Sequence, residues 1–189
     1  REIGDMNPNV RALVAYNTDS KVINTLRSNG VLLANVVPQG SFVAGSSSVV
    51  QLDAWNWEDA SYKADEGIHL NWPRMYIAKH ANAESEDVQR NRMTQQLGAI
   101  DLFFKEAKSY SMQATPVETN LRFEAMRGIF DGNKKLYVHC DFIKEIVAAV
   151  EFSKKYQVKM VLVGGGDSWR VSDLLKSNKI PVVLGNTHS

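Results

Sequence analysis

The sequence is poor in the features that mark disulfide-stabilised, membrane-spanning or nucleic-acid-binding proteins. Its single cysteine, Cys140, excludes an internal disulfide. No apolar run approaches the roughly 18 residues that a membrane-spanning helix needs. Lysine and arginine total 22 against 21 for aspartate and glutamate, and no five like charges stand in a row. We therefore expect neither a nucleic-acid partner nor a membrane partner.

The composition is that of a soluble globular protein. Of the 189 residues, 44% are hydrophobic and 23% are charged, and the formal net charge is +1. This balance excludes a disordered tail or a collagen-like fibre. Residues 1–9 are polar and lack the apolar core of a signal peptide. We expect a single domain over residues 1–189, and the sequence carries no signal that separates a cytoplasmic from a periplasmic location.

The first third of the chain predicts one helix, one strand and one loop. Apolar residues recur at helical spacing over residues 19–28, and Gly30 supplies the stop. Residues 31–37 form an almost continuous apolar run, which is typical of a strand buried on both faces. Residues 40–48 are nearly all Gly, Ser, Ala and Val, and predict a flexible loop that is a candidate active-site segment.

The middle of the chain predicts mainly helices. Residues 53–66 carry tryptophan and alanine among acidic residues, which favours a helix, and residues 67–72 favour a short strand. Residues 83–110 have an acidic start and apolar residues every three or four positions, which predicts the longest helix. A further helix is predicted over residues 117–130.

The last third alternates strands with helices. Strands are predicted over residues 136–140, 158–163 and 180–184, with a helical pattern between each pair. Because parallel neighbours require such crossovers, we expect these strands to pair in parallel. The chain is therefore predicted to have an α/β fold.

His139 is the first candidate for chemistry, since it stands at the carboxyl end of an apolar strand just before a helix. Catalytic groups collect at that edge of parallel α/β sheets. A neutral imidazole there is a potential ligand for a divalent metal. The alternative is a partly buried histidine that hydrogen-bonds a neighbouring loop.

A glycine-rich turn occupies the same edge one strand later. It consists of Gly164, Gly165, Gly166, Asp167 and Ser168. Glycines let backbone amides at a helix start approach a ligand, which favours phosphate or carboxylate binding. However, no lysine is present to meet a phosphate, and Asp167 would repel an anion. A tight connection followed by an Asp or Ser helix cap explains the turn without a ligand, and the sequence favours this interpretation.

The remaining histidines and the cysteine are weaker candidates. His69 and His188 lie near the ends of two other predicted strands, so they would converge with His139 if all three strands belong to one closed sheet. None forms an H-x-H or H-E-x-x-H pair. His80 follows a lysine in a polar stretch and is expected at the surface. Cys140 should diverge from its neighbour His139, because adjacent strand residues point to opposite faces.

Several segments together resemble the imidazolonepropionase-related branch of the amidohydrolase superfamily. The resemblance covers almost the whole chain and rests on Asn7-Pro8, Gly30-Val31, Val37-Pro38, the loop over residues 40–50, Val138-His139-Cys140-Asp141, Val163-Gly164-Gly165 and Ile180-Pro181-Val182-Val183-Leu184. It implies a metal-dependent hydrolase on a (β/α)₈ barrel, acting on cyclic amides, peptide-like amides or related C–N bonds.

The resemblance also implies that the barrel is incomplete in this chain. A (β/α)₈ barrel usually takes roughly 250 residues. The H-x-H pair of the first strand and the aspartate of the eighth have no counterpart here. We therefore expect an internal fragment: an α/β partial (β/α)₈ TIM-like barrel that lacks the first and last strands. Open strand edges of such a fragment predict self-association or pairing with the missing segments.

By the same resemblance, His139 corresponds to the metal-ligating histidine at the end of the fifth barrel strand. The histidine expected on the sixth strand is replaced by glycine. His69 falls near the position of a metal-bridging residue on the fourth strand, and His188 near a histidine that contacts substrate. Independently of the resemblance, the glycine turn makes Gly165, Gly166 and Asp167 candidates for contact with the substrate.

The implied function is hydrolysis of a small-molecule substrate by a water that a divalent metal activates, with zinc as the expected ion. Two alternatives remain. One is a barrel that has lost its metal site and binds a ligand without catalysis, and the other is a phosphate-binding enzyme that uses the glycine turn.

Overall fold

The computed structural model describes residues 4–80 and 82–185. Within these ranges, six strands form one mixed sheet in the order β1-β2-β3-β4-β5-β6. The strands are β1 (Leu33–Val36), β2 (Val43–Gln51), β3 (Ser61–Asn71), β4 (Lys135–Cys140), β5 (Met160–Gly164) and β6 (Val182–Leu184). The first three pair antiparallel, and β3 to β6 pair parallel. The sheet curls into a half-barrel.

Helices connect the parallel strands. The α-helices are α1 (Lys21–Ser28), α2 (Trp57–Ala60), α3 (Glu86–Ser111), α4 (Leu121–Phe130), α5 (Ile143–Tyr156) and α6 (Ser172–Ser177). Single turns of 3₁₀ helix cover Ala12–Ala15 and Ser168–Val171. None of the helices in the described ranges is long and apolar enough to cross a bilayer.

The starts of the long helices follow from their capping residues. The Ser85 side chain accepts a hydrogen bond from the Val88 amide, and acidic residues fill the first turn of α3. The Asn120 side chain accepts from the amides of Arg122 and Phe123 at the start of α4. These caps satisfy backbone donors that have no partner within the helix.

The main core lies on one face of the parallel strands. Ile68, Leu70, Leu136, Val138 and Leu162 alternate along β3, β4 and β5, and all are fully buried. They pack in one cluster with buried side chains of α3, α4 and α5. Because side chains alternate along a strand, His69, Tyr137 and His139 lie on the opposite face of the sheet.

The alternation predicted for the last third is confirmed. The strands predicted over residues 136–140, 158–163 and 180–184 are β4, β5 and β6, and they pair in parallel. The helices predicted over residues 83–110 and 117–130 are α3 and α4. The mixed α/β architecture and the half-barrel sheet fit the predicted partial barrel.

Two predictions for the first third and one for the middle of the chain are wrong. The segment over residues 31–37 contains β1, but its side chains alternate between exposed and half-buried, because β1 pairs antiparallel at the margin of the sheet. Residues 40–48 are not a flexible loop, because most of them form the buried strand β2. The helix predicted over residues 53–66 reduces to the single turn α2, and the long strand β3 begins at Ser61.

Candidate functional site

Two of the three histidines that were expected to converge meet on the sheet face opposite the main core. The register pairs His69 of β3 with Tyr137 of β4 and Asn71 with His139, so the two histidines are diagonal neighbours. Nδ1 of His69 lies 2.8 Å from Nε2 of His139. The sequence prediction that His69 and His139 approach each other is confirmed. His188 lies outside the described residues.

Burial keeps this histidine pair uncharged. Desolvation, followed by repulsion from His139, lowers the pKa of His69 to about 3. Desolvation also lowers the pKa of His139, although Asp141 acts in the opposite direction. Near neutral pH both rings are therefore neutral, so one nitrogen donates the shared hydrogen bond and the other accepts it. Neutral imidazole is also the form that binds a metal.

Tyr137 contacts the histidine pair directly, and Glu66 holds Tyr137 in place. The sequence analysis identifies neither residue. The Tyr137 ring stacks on His69 with 4.7 Å between ring centroids and planes 2° apart. Its hydroxyl donates a hydrogen bond to the buried Glu66 carboxylate, which Lys63 also approaches at 2.9 Å. Burial alone would raise the pKa of Glu66, but hydrogen bonds from Tyr137 and Lys63 hold it below its usual value. This network fixes the tyrosine ring against His69.

Two buried polar atoms on β2 and β3 have no hydrogen-bond partner in the described part of the chain. They are Nε2 of His69 and Oγ of Ser47. Ser47 pairs with Gly67 in the antiparallel register, so its side chain lies on the same sheet face as His69. Buried polar atoms normally have partners, and exceptions mark positions where a water, an ion or a ligand group is held.

The glycine turn is held by hydrogen bonds within the protein. The Gly165 amide donates to the Cys140 carbonyl at 2.9 Å, and the Asp167 amide donates to the Asp141 carbonyl at 2.8 Å. Gly164 and Gly165 have φ values of 92° and 66°, which favour glycine. The amides that would bind a phosphate thus already have acceptors. Contact of Gly165, Gly166 and Asp167 with a substrate stays a prediction.

Cys140 faces away from the histidine pair. It is 7% exposed and belongs to the main core cluster. Burial, followed by the nearby charges of Glu145 and Asp141, raises the pKa of its thiol to about 12. The thiolate is therefore scarce near neutral pH, and Cys140 acts as a packed apolar side chain.

A cleft of about 590 Å³ opens beside His139 at the carboxyl ends of β4 and β5. We call it the histidine cleft, and its lining includes Trp72, Arg74, Tyr76, His139, Asp141 and Gly164. Because His139 is half-buried and His69 is 2% exposed, a ligand in this cleft would meet His139 first.

The histidine pair supplies part of the ligand set of a metal site. Imidazole nitrogen is a preferred zinc ligand, and catalytic zinc sites have three protein ligands with Zn–N distances of about 2.0–2.1 Å. In residues 4–80 and 82–185, no group of three or more His, Cys, Asp or Glu side chains is placed to hold a metal. His69 and His139 therefore supply two of the three protein ligands that a catalytic zinc site needs. At least one further ligand is required.

Comparisons with known proteins identify a similar fold. No family model and no curated protein matches the sequence. Among solved structures, an amidohydrolase from Thermotoga maritima is similar with a TM-score of 0.81 and 21% identity. The match covers 97% of this chain and 49% of that chain, so this chain spans about half the length of that protein. The chain therefore has an amidohydrolase-like fold.

The burial of His69 predicts that stability depends on pH. Its pKa is depressed in the folded state, so the unfolded chain binds a proton that the folded chain rejects. The contribution to stability is complete above the unfolded pKa of about 6.5 and declines as the pH falls toward about 3, by up to about 1.4 kcal/mol per pH unit. Urea unfolding of the metal-stripped chain between pH 6.5 and pH 5 measures this slope.

A variant pair isolates the contribution of His69 to this slope. His69→Gln should flatten the slope, whereas His80→Gln at an exposed histidine should retain it. An equal slope in wild type and His69→Gln would show that His69 is not the group that titrates.

Proposed function

We propose that this chain forms part of the active site of a hydrolase that cleaves a C–N bond in a small-molecule cyclic or peptide-like amide. The observation that carries the proposal is the convergence of His69 Nδ1 and His139 Nε2 in an amidohydrolase-like fold. The imidazolonepropionase-like character and the metal dependence belong to the same proposal, and the sequence resemblance supports them.

The histidines act as two ligands of a divalent metal, for which zinc best suits imidazole nitrogen. When bound, such an ion lowers the pKa of a water molecule and polarises the amide carbonyl. His139 presents its ring at the histidine cleft, where the substrate would enter. Tyr137 stacks on His69 and limits its rotation, so that Nδ1 keeps its direction. Gly165, Gly166 and Asp167 are assigned to substrate contact by the place of the glycine turn at the carboxyl end of β5.

Further ligands must come from outside the described residues. This requirement, and the exposed end of the sheet, support the expectation of self-association or of pairing with a complementary segment. Val183 and Leu184 of β6 are 50% and 65% exposed, and β6 pairs with β5 on one side only within the described chain. Unpaired strand edges are ready sites for further pairing.

A non-catalytic ligand-binding protein is the second candidate function. Two observations favour it. The histidine pair forms a hydrogen bond between its own rings without an ion, and glycine stands where the resemblance expects the sixth-strand histidine. Such a protein would use the histidine cleft to bind an amide without cleaving it.

Metal content tests the proposal against this alternative. The full chain is purified without chelator, incubated with zinc, desalted and measured by plasma mass spectrometry. We expect wild type to retain zinc and His139→Ala to lose most of it, because one of the two proposed ligands is removed. His80→Ala changes a histidine outside the site and should retain zinc as wild type does.

Equal zinc in wild type and His139→Ala would contradict the assignment of His139. Absence of zinc from all three proteins after reconstitution would leave the ligand-binding alternative as the better account. Retained zinc in wild type would justify a hydrolysis screen with cyclic amides and dipeptides.

A further inference from the structure

Three consecutive serines of β2 are buried, and the middle one stands apart from its neighbours. The Ser46 hydroxyl donates a hydrogen bond to the Pro8 carbonyl at 3.0 Å. The Ser48 hydroxyl accepts a hydrogen bond from the Asp65 amide at 2.8 Å. Oγ of Ser47 is buried and has no such partner in the described part of the chain. Because an unpaired buried hydroxyl is costly, the position of Ser47 needs a separate explanation.

Nε2 of His69 is in the same situation on the same face of the sheet. Within residues 4–80 and 82–185, two further buried side-chain atoms lack a partner, the hydroxyl of Tyr16 and Nε1 of Trp72. Trp72 belongs to the main core, and Tyr16 packs against a second apolar cluster that contains Leu13. Ser47 and His69 instead share the sheet face that carries the histidine pair.

The strand register places Ser47 and His139 on opposite sides of His69. His139 of β4 is level with Asn71, two residues after His69, whereas Ser47 of β2 is level with Gly67, two residues before it. Nδ1 of His69 faces His139 at 2.8 Å. The two nitrogens of an imidazole ring point in nearly opposite directions. Nε2 of His69 therefore points away from His139, toward the side of the sheet on which Ser47 lies.

The distance between these two atoms suits one water molecule. Diagonal neighbours on paired strands lie about 7–8 Å apart at Cα, which a serine side chain is too short to span. Oγ of Ser47 and Nε2 of His69 accordingly form no direct hydrogen bond. A water between them bridges with two hydrogen bonds of about 2.7–3.0 Å each. Buried waters in proteins typically join polar groups that are otherwise unsatisfied.

We propose that Ser47 is a positioning residue for His69, which it contacts through one buried water. The water accepts a hydrogen bond from Nε2–H of His69 and donates one to Oγ of Ser47. With the proton at Nε2, Nδ1 of His69 keeps its lone pair and accepts the hydrogen bond from Nε2–H of His139. This is the tautomer in which Nδ1 can bind a metal. That Nδ1 binds a metal rests on the proposed function.

NMR of the histidine ring nitrogens in the metal-free full chain tests this proposal. We expect the proton of the His69 ring at Nε2, and a nuclear Overhauser contact between this proton and a slowly exchanging water. His80 is the control, because it is exposed and its ring protons should exchange rapidly with solvent. A proton at Nδ1 of His69, or an Nε2 proton without a bound water, would overturn the proposal.

Variants of neighbouring serines separate this role from general packing. Ser47→Ala should remove the water and move part of the His69 proton population to Nδ1. Its affinity for zinc should fall about tenfold, as is usual when a metal ligand loses the partner of its other nitrogen. Ser47→Thr keeps the hydroxyl and should keep the wild-type tautomer.

Ser46→Ala is the matched control. It removes a hydroxyl that is equally buried on the same strand but bonds the Pro8 carbonyl, so it should lower stability alone. Its ring-nitrogen shifts and its affinity for zinc should equal those of wild type. Wild-type shifts in Ser47→Ala, or the same change in both variants, would contradict the role of Ser47.

The two proposals fail separately. The ring-nitrogen spectra need no metal, so a water-bound Nε2 proton in a protein that retains no zinc would support the role of Ser47 and reject the metal-dependent hydrolase. Zinc retention together with a metal-free spectrum that shows the proton at Nδ1 would have the opposite meaning.

Discussion

Replacement of Gly67 with alanine is expected to lower the free energy of unfolding by about 2–3 kcal/mol. A Cβ atom at this position would overlap Cε2 of Tyr137 and lie 2.9 Å from the Lys135 carbonyl oxygen. The tyrosine ring cannot turn aside easily, because it stacks on His69 and its hydroxyl is bonded to Glu66. The substitution should therefore weaken the support of the histidine pair as well as the fold.

Gly98→Ala is the matched control for this prediction. Gly98 lies within α3, and an added Cβ would meet no atom within 4 Å. Alanine favours a helix over glycine by about 0.5–1 kcal/mol, so this variant should be as stable as wild type or more stable. Urea unfolding compares the two variants. A Gly67→Ala protein with wild-type stability would show that Tyr137 is not packed against β3 as described.

Truncation of Phe104 to alanine is expected to cost about 3–5 kcal/mol of stability, which is the largest single effect that we predict. Phe104 is fully buried in α3 and contacts the rings of Phe152 and Tyr156, with 4.8 Å and 5.4 Å between centroids. Its removal leaves a cavity, because these two rings are anchored on α5 and a third neighbouring ring, Phe130, is anchored on α4.

The control for Phe104 lies on the same helix. Leu102 is 56% exposed, so Leu102→Ala removes little buried surface and should change stability only slightly. Denaturant unfolding of both variants separates core packing from helix propensity. A small loss in Phe104→Ala would contradict the placement of Phe104 in the main core, where α3 packs against α5.

The parallel half of the sheet could be predicted because its sequence pattern and its packing agree. Strands such as β4 are short apolar runs, and each is followed by a helix with apolar residues at helical spacing. The antiparallel half could not be predicted in the same way. Ser46 and Ser48 are buried in β2 because their hydroxyls are satisfied by the Pro8 carbonyl and the Asp65 amide, partners that no local pattern reveals.

The candidate site was predictable only in part for a similar reason. His139 was found from its place at a strand end, and its approach to His69 followed from shared sheet geometry. Glu66 was placed in a predicted helix, so its contact with Tyr137 was missed. Tyr137 stands two residues before His139, and residues at this spacing share one face of a strand. This spacing is the signal in the sequence that identifies the tyrosine. Arg74 follows β3 in a segment without periodicity, and only the fold places it in the lining of the histidine cleft.

The central claim is that His69 and His139 bind one metal ion through the two nitrogens that face each other. Nitrogen-detected NMR of the histidine side chains, with zinc added to the full chain, tests this claim most directly. The account predicts that zinc shifts Nδ1 of His69 and Nε2 of His139 together while both rings stay neutral, and that His80 is unaffected. Zinc shifts at His80 alone, or an intact hydrogen bond between the two rings at saturating zinc, would contradict it.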